Sequence, residues 1–255
     1  MKIEQAVETL WSATRAGEPH PESLRGALTM EEAYRVQRGI LAKWNAAGEK
    51  QGGWKIALTA EKTRGMIGSE TPLCGFLLAG RALSSGQTVP CAGMRAPAVE
   101  AELCVTLDRD LAGPGVTREQ VLAAGGTVMP ALEVVEERGK PAADLPLAVA
   151  DNILQWGYVL GEPVTPFSAQ MDFAAVTVEI VRNGEQIARL LAAEVIDDQL
   201  SSVAWLANKL SEFGEPLRAG QRILTGSFMA HHPVVPGETW EATFSPFGKV
   251  AVRFE

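Results

Sequence analysis

The chain has 255 residues, 46% of them apolar, with 23 Lys and Arg against 31 Asp and Glu and a formal charge of −8. That apolar share excludes a disordered chain, and the acidic balance offers no long-range attraction to nucleic-acid phosphates or to an anionic membrane surface. No stretch approaches the ~18 consecutive apolar residues of a membrane-spanning helix, and the start, Met1-Lys2-Ile3-Glu4-Gln5, lacks the apolar run of a signal peptide.

The first fifty residues read as helical. Ile3, Ala6, Val7, Leu10 and Trp11 share one face at helical spacing. A loop with Gly17, Pro19 and Pro21 follows, and places His20 in solvent. Thr29-Met30-Glu31-Glu32 is a capping box that opens a second helix, with Ala33, Val36, Ile40, Leu41 and Trp44 inward and Gly48 placed to end it. From about Gly52 the texture changes to short strands broken by Gly and Pro. Ala98 to Leu107 alternates strictly: Val99, Ala101, Leu103, Val105 and Leu107 point one way, and Glu100, Glu102, Cys104 and Thr106 the other. Thr117 and Gln120 cap a short helix that stops near Gly125-Gly126. Val128 to Val135 then reads as a buried strand.

Farther on, strands from Ala175 to Val181 and Gln186 to Leu191 flank Asn183-Gly184, a dipeptide suited to a two-residue type I′ hairpin. Ser202 to Phe213 reads as a helix with Val203, Leu206, Ala207 and Leu210 inward. The chain closes on two antiparallel strands, Thr239 to Phe244 and Lys249 to Phe254. The expectation is an α+β protein: a helical segment over residues 1–50 against a β-rich catalytic domain over 51–255. Cys74, Cys91 and Cys104 are odd in number and form no C-x-x-C, which fits buried thiols in a reducing, cytoplasmic setting.

Many familiar catalytic devices are missing: there is no G-x-G-x-x-G, P-loop, G-x-S-x-G or H-E-x-x-H. Neighbouring His231 and His232 cannot put both rings on one side of a strand, which argues against a shared metal. The informative residues are acidic. Glu100 and Glu102 leave the same strand face about 7 Å apart. Glu133 sits inside the apolar run Ala131-Leu132-Glu133-Val134-Val135, where a lone carboxylate is costly and calls for a cation. Three oxygen donors without His or Cys companions favour a hard ion, Mg²⁺ or Mn²⁺, over zinc. Lys55 lies in a Gly-led apolar strand, Gly52-Gly53-Trp54-Lys55-Ile56-Ala57-Leu58-Thr59, with Trp54 directed the other way.

Several motifs together resemble the hydratase/decarboxylase branch of the fumarylacetoacetate hydrolase superfamily. They are Trp54 to Thr59, Pro97 through Glu100-Ala101-Glu102-Leu103, Gly113 to Thr117, Pro130 to Val135, Ala150-Asp151-Asn152, Val203 to Asn208 and Leu224-Thr225-Gly226-Ser227. The resemblance implies a mixed β-roll or sandwich body behind the helical N-terminal segment. It assigns Glu100, Glu102 and Glu133 to one divalent ion, Mg²⁺ or Mn²⁺, that receives a small 2-oxo or 2-hydroxy carboxylic acid. It makes Lys55 the catalytic residue, binding substrate and moving a proton with a pKa lowered by burial. Thr59 and Ser227 join it as substrate-binding candidates, Ser227 through its hydroxyl or backbone N–H. The implied activity, in aromatic catabolism, is hydration of a 2-hydroxy-dienoate. The alternatives are a 4-oxalocrotonate-type decarboxylation at the same ion or a silent member serving a companion subunit. A homo-oligomer is implied as well, with no nucleic acid or membrane partner. The branch that hydrolyses acylpyruvates leans on a His–acid pair, for which the sequence shows no candidate. Two departures stand out: Leu73 occupies the place of an acid/base Asp, and Leu154 that of a pocket Ser.

Overall fold

The computed structural model describes residues 2–164 and 171–255. Helix α1 (Ile3–Ala16) buries Ala6, Val7, Leu10 and Ala13. Helix α2 (Met30–Ala46) starts at the expected Thr29–Glu32 box and buries Ala33, Val36, Ile40, Leu41 and Trp44. There follow β1 (Gln51–Ala57), α3 (Glu61–Ile67), β2 (Leu73–Leu78), β3 (Ala82–Ser84), β4 (Thr88–Val89) and β5 (Pro97–Leu107). Next come α4 (Arg118–Ala124), β6 (Gly126–Glu136), α5 (Leu145–Ala150), β7 (Gln155–Leu160), β8 (Thr177–Arg182) and β9 (Glu185–Leu191). The last elements are α6 (Ala192–Val195), α7 (Gln199–Ser211), β10 (Arg222–Ser227), β11 (His232–Pro233), β12 (Thr239–Ser245) and β13 (Gly248–Phe254).

The strands form two sheets. The larger runs β2-β1-β10-β5-β6-β7-β3, with β11 added alongside β5; the smaller runs β4-β13-β12-β8-β9. The β8–β9 hairpin turns on Asn183 and Gly184, both at positive φ as a type I′ turn demands. Helix α7 begins three residues before the sequence suggests, because Asp198 caps it by accepting from the Ser201 N–H. Helices α3 and α5 carry no sequence forecast. The first buries none of its residues, and the second buries Leu147 through Ala150 without a polar face, so neither offers a helical period.

The larger sheet curls until β2 and β7, near its two ends, come into contact. Its outer face carries Trp54, Ile56, Val99, Ala101, Leu103, Val105, Leu132, Val134 and Ile223, in one core with α7 and with Trp240, Phe244, Val250 and Val252 of the smaller sheet. Its inner face is a second interior. There Leu77, Cys104, Met129, Ala131, Tyr158 and Leu224 pack together across the curl. All three cysteines are buried free thiols.

Side chains reaching over long sequence separations close the curl. Asn152, at φ 61, donates to the Phe76 carbonyl (2.9 Å) and accepts from the Phe76 N–H (2.7 Å), so its amide pairs with the β2 edge as a further strand would. Gln37 of α2 donates to the Cys74 carbonyl (3.0 Å) and the Val149 carbonyl (2.8 Å), tying helix, sheet edge and α5 together. His20 is a correction to the solvated position expected for it. It is buried, with Nε2 2.8 Å from Asp151 Oδ2, and Asp151 also pairs with Arg138, whose Nε lies 3.0 Å away.

The Asn152 clamp predicts a sizeable stability loss on truncation. Asn152→Ala strands two buried backbone groups and loses a residue that tolerates the left-handed region, costing about 2–4 kcal/mol. Asn152→Gly keeps the backbone freedom and should cost less. Urea unfolding midpoints of the two variants check both the size and the order.

Candidate active site

Strand alternation builds the site on the inner face of the curl. Glu100 stands directly opposite Glu133 in the β5–β6 ladder, and Glu102 opposite Ala131. Lys55 of β1 lies level with Leu224 of β10, itself level with Cys104 of β5, so the lysine shares that face. One carboxylate oxygen from each glutamate lies within 4.8 Å of the others. Lys55 Nζ sits 3.0 Å from Glu133 Oε1. Glu102 and Glu133 are sealed from solvent, while Glu100 is half-buried, which puts the mouth of the site on the Glu100 side.

A bulge lets β10 serve this cluster. Its register with β5 shifts between Leu224 and Ser227, and the Gly226 N–H donates to Glu102 Oε2 at 3.0 Å. Gly226 has φ +115, and a Cβ there would lie 2.4 Å from Thr59 Oγ1. Glycine is therefore required for both the backbone angle and the close approach of Thr59. Thr59 is buried at this contact. Ser227 stands opposite Glu102, but its hydroxyl donates to the Met229 carbonyl at 2.6 Å, within its own turn. Trp54 faces the outer core, as its alternation with Lys55 requires.

Electrostatics make the cluster unusual. Burial pushes the Glu133 carboxyl up to about 7, against the pull of the Lys55 ammonium. Glu102 is held well above the usual carboxylate range by burial and then by repulsion from Glu133 and Glu100; burial raises Glu100 too. Lys55 corrects an expectation. Burial alone would lower it, but attraction from Glu133, Glu100 and Glu102 outweighs burial and keeps the ammonium above its ordinary pKa. Both Glu133 oxygens are buried without an aligned hydrogen-bond partner. A buried carboxylate so placed, with one ammonium beside it and two more carboxylates flanking it, suits a hard divalent cation bound by oxygen.

Some features of this region leave no local signal in the sequence. The backbone N–H of Gly226 carries no side-chain signal. Asn152, Ile153 and Leu154 are three consecutive residues at positive φ, 61°, 51° and 63°, and they carry Leu154 against Ala98 and Val135 beside the site. Glu137 and His231 approach each other as an ion-pair contact, Oε2 to Nε2 3.8 Å. Among the described residues two His–acid pairs are present, His20–Asp151 and His231–Glu137, for which the sequence shows no candidate. Their partners are 131 and 94 residues apart, too far for any local pattern.

Comparison with known proteins agrees with this architecture. The model of the fumarylacetoacetate (FAA) hydrolase C-terminal family matches residues 61–255. The chain is 33% identical to a 2-hydroxyhexa-2,4-dienoate hydratase of Comamonas testosteroni, across 99% of this chain and 97% of that one. It is also 33% identical to a 2-keto-4-pentenoate hydratase of Paraburkholderia xenovorans, across 99% and 94%. The 4-oxalocrotonate decarboxylase from Pseudomonas putida G7, solved with magnesium and adipate, superposes with a TM-score of 0.91 at 32% identity, covering 100% of this chain and 99% of that one. No helix among the described residues is long and apolar enough to cross a membrane. The chain belongs to the fumarylacetoacetate hydrolase family.

Proposed function

We propose that this protein is a divalent-metal-dependent lyase that adds water to a 2-hydroxy-dienoate or its 2-oxo-enoate tautomer. The observation that carries the reading is the fully buried Glu133 carboxylate, ion-paired on one oxygen with the Lys55 ammonium and without an aligned hydrogen bond on either, beside Glu100 and Glu102. The hydratase relatives of near-equal length supply the reaction class. Glu100, Glu102 and Glu133 would hold Mg²⁺ or Mn²⁺. When bound, that ion supplies Lewis acidity, drawing negative charge onto the 2-oxygen of a 2-oxo acid. Lys55 presents a fixed positive charge and N–H donors to the same oxygens, and it relays a proton as the enol and keto forms interchange. Thr59, buried against Gly226, is the side chain we assign to the substrate carboxylate. Ser227 enters through its position opposite Glu102, with its hydroxyl spent on Met229.

One observation favours decarboxylation as the second reading. Leu73, buried where the resemblance puts an acid/base carboxylate, leaves that position without a proton-transfer group. The same site then accepts the electron pair released with CO₂. A UV assay separates the two. Purified protein receives 2-hydroxypenta-2,4-dienoate or 2-oxohex-3-enedioate, with Mg²⁺, Mn²⁺ or EDTA, and the products are identified. Metal-dependent hydration of the first supports the primary reading; CO₂ released from the second transfers the claim.

Three outcomes follow from the site's chemistry. Glu133→Ala should weaken Mg²⁺ binding by at least ~100-fold in calorimetric titration, more than the loss of an outer-shell partner costs. Lys55→Met removes a cation that competes for Glu133, so Mg²⁺ affinity should hold or rise while kcat falls roughly 100-fold or more. Parallel loss of both would sink the assignment of Lys55 to chemistry. Protons also compete with the ion: because Glu133 titrates at about 7, Mg²⁺ affinity should fall as pH drops below that value. Equal affinity at acid and alkaline pH would contradict it.

A further inference from the structure

The inner face of the larger sheet carries its carboxylates as a band between two apolar ones. Glu100 faces Glu133 across β5 and β6, and two residues farther along the same strands Ala98 faces Val135. Strand alternation puts all four side chains on one face, the two pairs about 7 Å apart. Leu154 packs on Ala98 and Val135, and the three form a small apolar cluster of their own. In the other direction come Cys104, Ala131 and Leu224, wholly buried in the inner core. That end is sealed, and the half-buried glutamate, Glu100, is the one next to Ala98. An acid whose carboxylate and 2-oxygen meet the three glutamates therefore extends its tail past Ala98, Val135 and Leu154. The cations of this face lie elsewhere: Lys55 pairs with Glu133, and Arg222 reaches the Tyr158 hydroxyl at 3.3 Å.

Leu154, alone of the three, also borders a polar cavity of about 50 Å³, room for a few waters. Arg81, Glu136, Arg138, Asp151 and Gln155 line it as well. Arg138 is held by Asp151, and Glu136 accepts from the Arg95 N–H at 3.0 Å. Two donors remain. The Arg81 guanidinium lies 5.1 Å from the ring centroids of both Trp44 and Trp156, gives one N–H to the Trp156 carbonyl, and makes no ion pair among the described residues. The Gln155 Nε2 group, on the strand position opposite Val135, is buried without a hydrogen-bond partner. The cavity thus offers a guanidinium and an amide to a carboxylate, while the wall in front of it offers only aliphatic groups. Resting on the metal-lyase reading above, we infer that Leu154 determines the specificity of the site. Its side chain parts the glutamates from this cavity, so the site takes a 2-oxo or 2-hydroxy acid with a short alkyl tail and rejects one whose tail ends in a second carboxylate. Against Ala98, Val135 and Leu154 a terminal carboxylate loses its water and gains no donor. An alkyl tail buries apolar area there instead.

Calorimetric titration of the Mg²⁺-loaded full chain with 2-oxohexanoate and 2-oxohexanedioate, equal in length and different only at the far end, tests this. The wild type should bind the monocarboxylate about 100-fold more tightly. Leu154→Ala should narrow that ratio to about tenfold or less, through tighter binding of the dicarboxylate, with Mg²⁺ affinity within about twofold of wild type. Leu154→Asn repeats the comparison should the alanine variant not fold, since asparagine tolerates the left-handed backbone found here at φ 63. Adding Arg81→Met to either variant should return the ratio toward the wild-type value, because the opened cavity then lacks its charge. A gain that survives Arg81→Met overturns the part given to the cavity. Equal affinity of the wild type for both acids overturns the inference and leaves the lyase reading standing, and so does a ratio that neither Leu154 variant moves. Mg²⁺ binding without affinity for either acid overturns it too, with the UV turnover assay left to decide the lyase reading. A wild type that binds no Mg²⁺ overturns both.

Discussion

The structure turns on a charge imbalance inside a dry sheet. Three carboxylates and one ammonium share the inner face of the curl, leaving two negative charges uncompensated among groups that water barely reaches. Burial of each ion costs several kcal/mol even after relaxation. The fold therefore carries a local debt that protons or a doubly charged cation can settle, and the raised carboxyl pKa values are the first of these in operation. A doubly charged ion bound by oxygen matches the deficit without displacing the lysine. The same charges that make the site costly thus select what it binds.

The rest of the molecule holds this face in place. The curl brings β1, β10, β5 and β6 side by side, so that a period-two pattern in each strand places four ionisable side chains together. The bulge at Gly226 adds a backbone donor that reaches Glu102. Asn152 and Gln37 satisfy the outer edge of β2, which would otherwise expose unpaired backbone groups at the seam of the curl. The Arg138–Asp151–His20 network then anchors the segment leading into the seam to the loop between α1 and α2.

Much of this was legible in the sequence where the signal is periodic. Strict alternation from Ala98 to Leu107 placed Glu100 and Glu102 on one face, and an apolar run around Glu133 marked a carboxylate in want of a cation. The Thr29 and Thr117 boxes marked two helix starts because capping is local chemistry. What escaped was set by contacts distant in sequence. Lys55 looked like an ammonium weakened by burial, and only the positions of all three glutamates reverse the sign. His20, between two prolines, gave no hint of an Asp 131 residues away. Helix α3 escaped for the opposite reason, since a helix that buries nothing leaves no hydrophobic imprint.

The left-handed run Asn152–Ile153–Leu154 separates scaffold from chemistry. A non-glycine residue in that region carries a conformational cost, and three in a row persist only because neighbouring structure over-determines them. Here the clamp on Phe76 belongs to the first residue, while the side chain that packs beside the site belongs to the third. Position 154 can thus change its side chain without altering the hydrogen bonds, made by Asn152, that hold the segment. Such a segment acts as a socket: one residue sets its shape, and another sets the surface it presents.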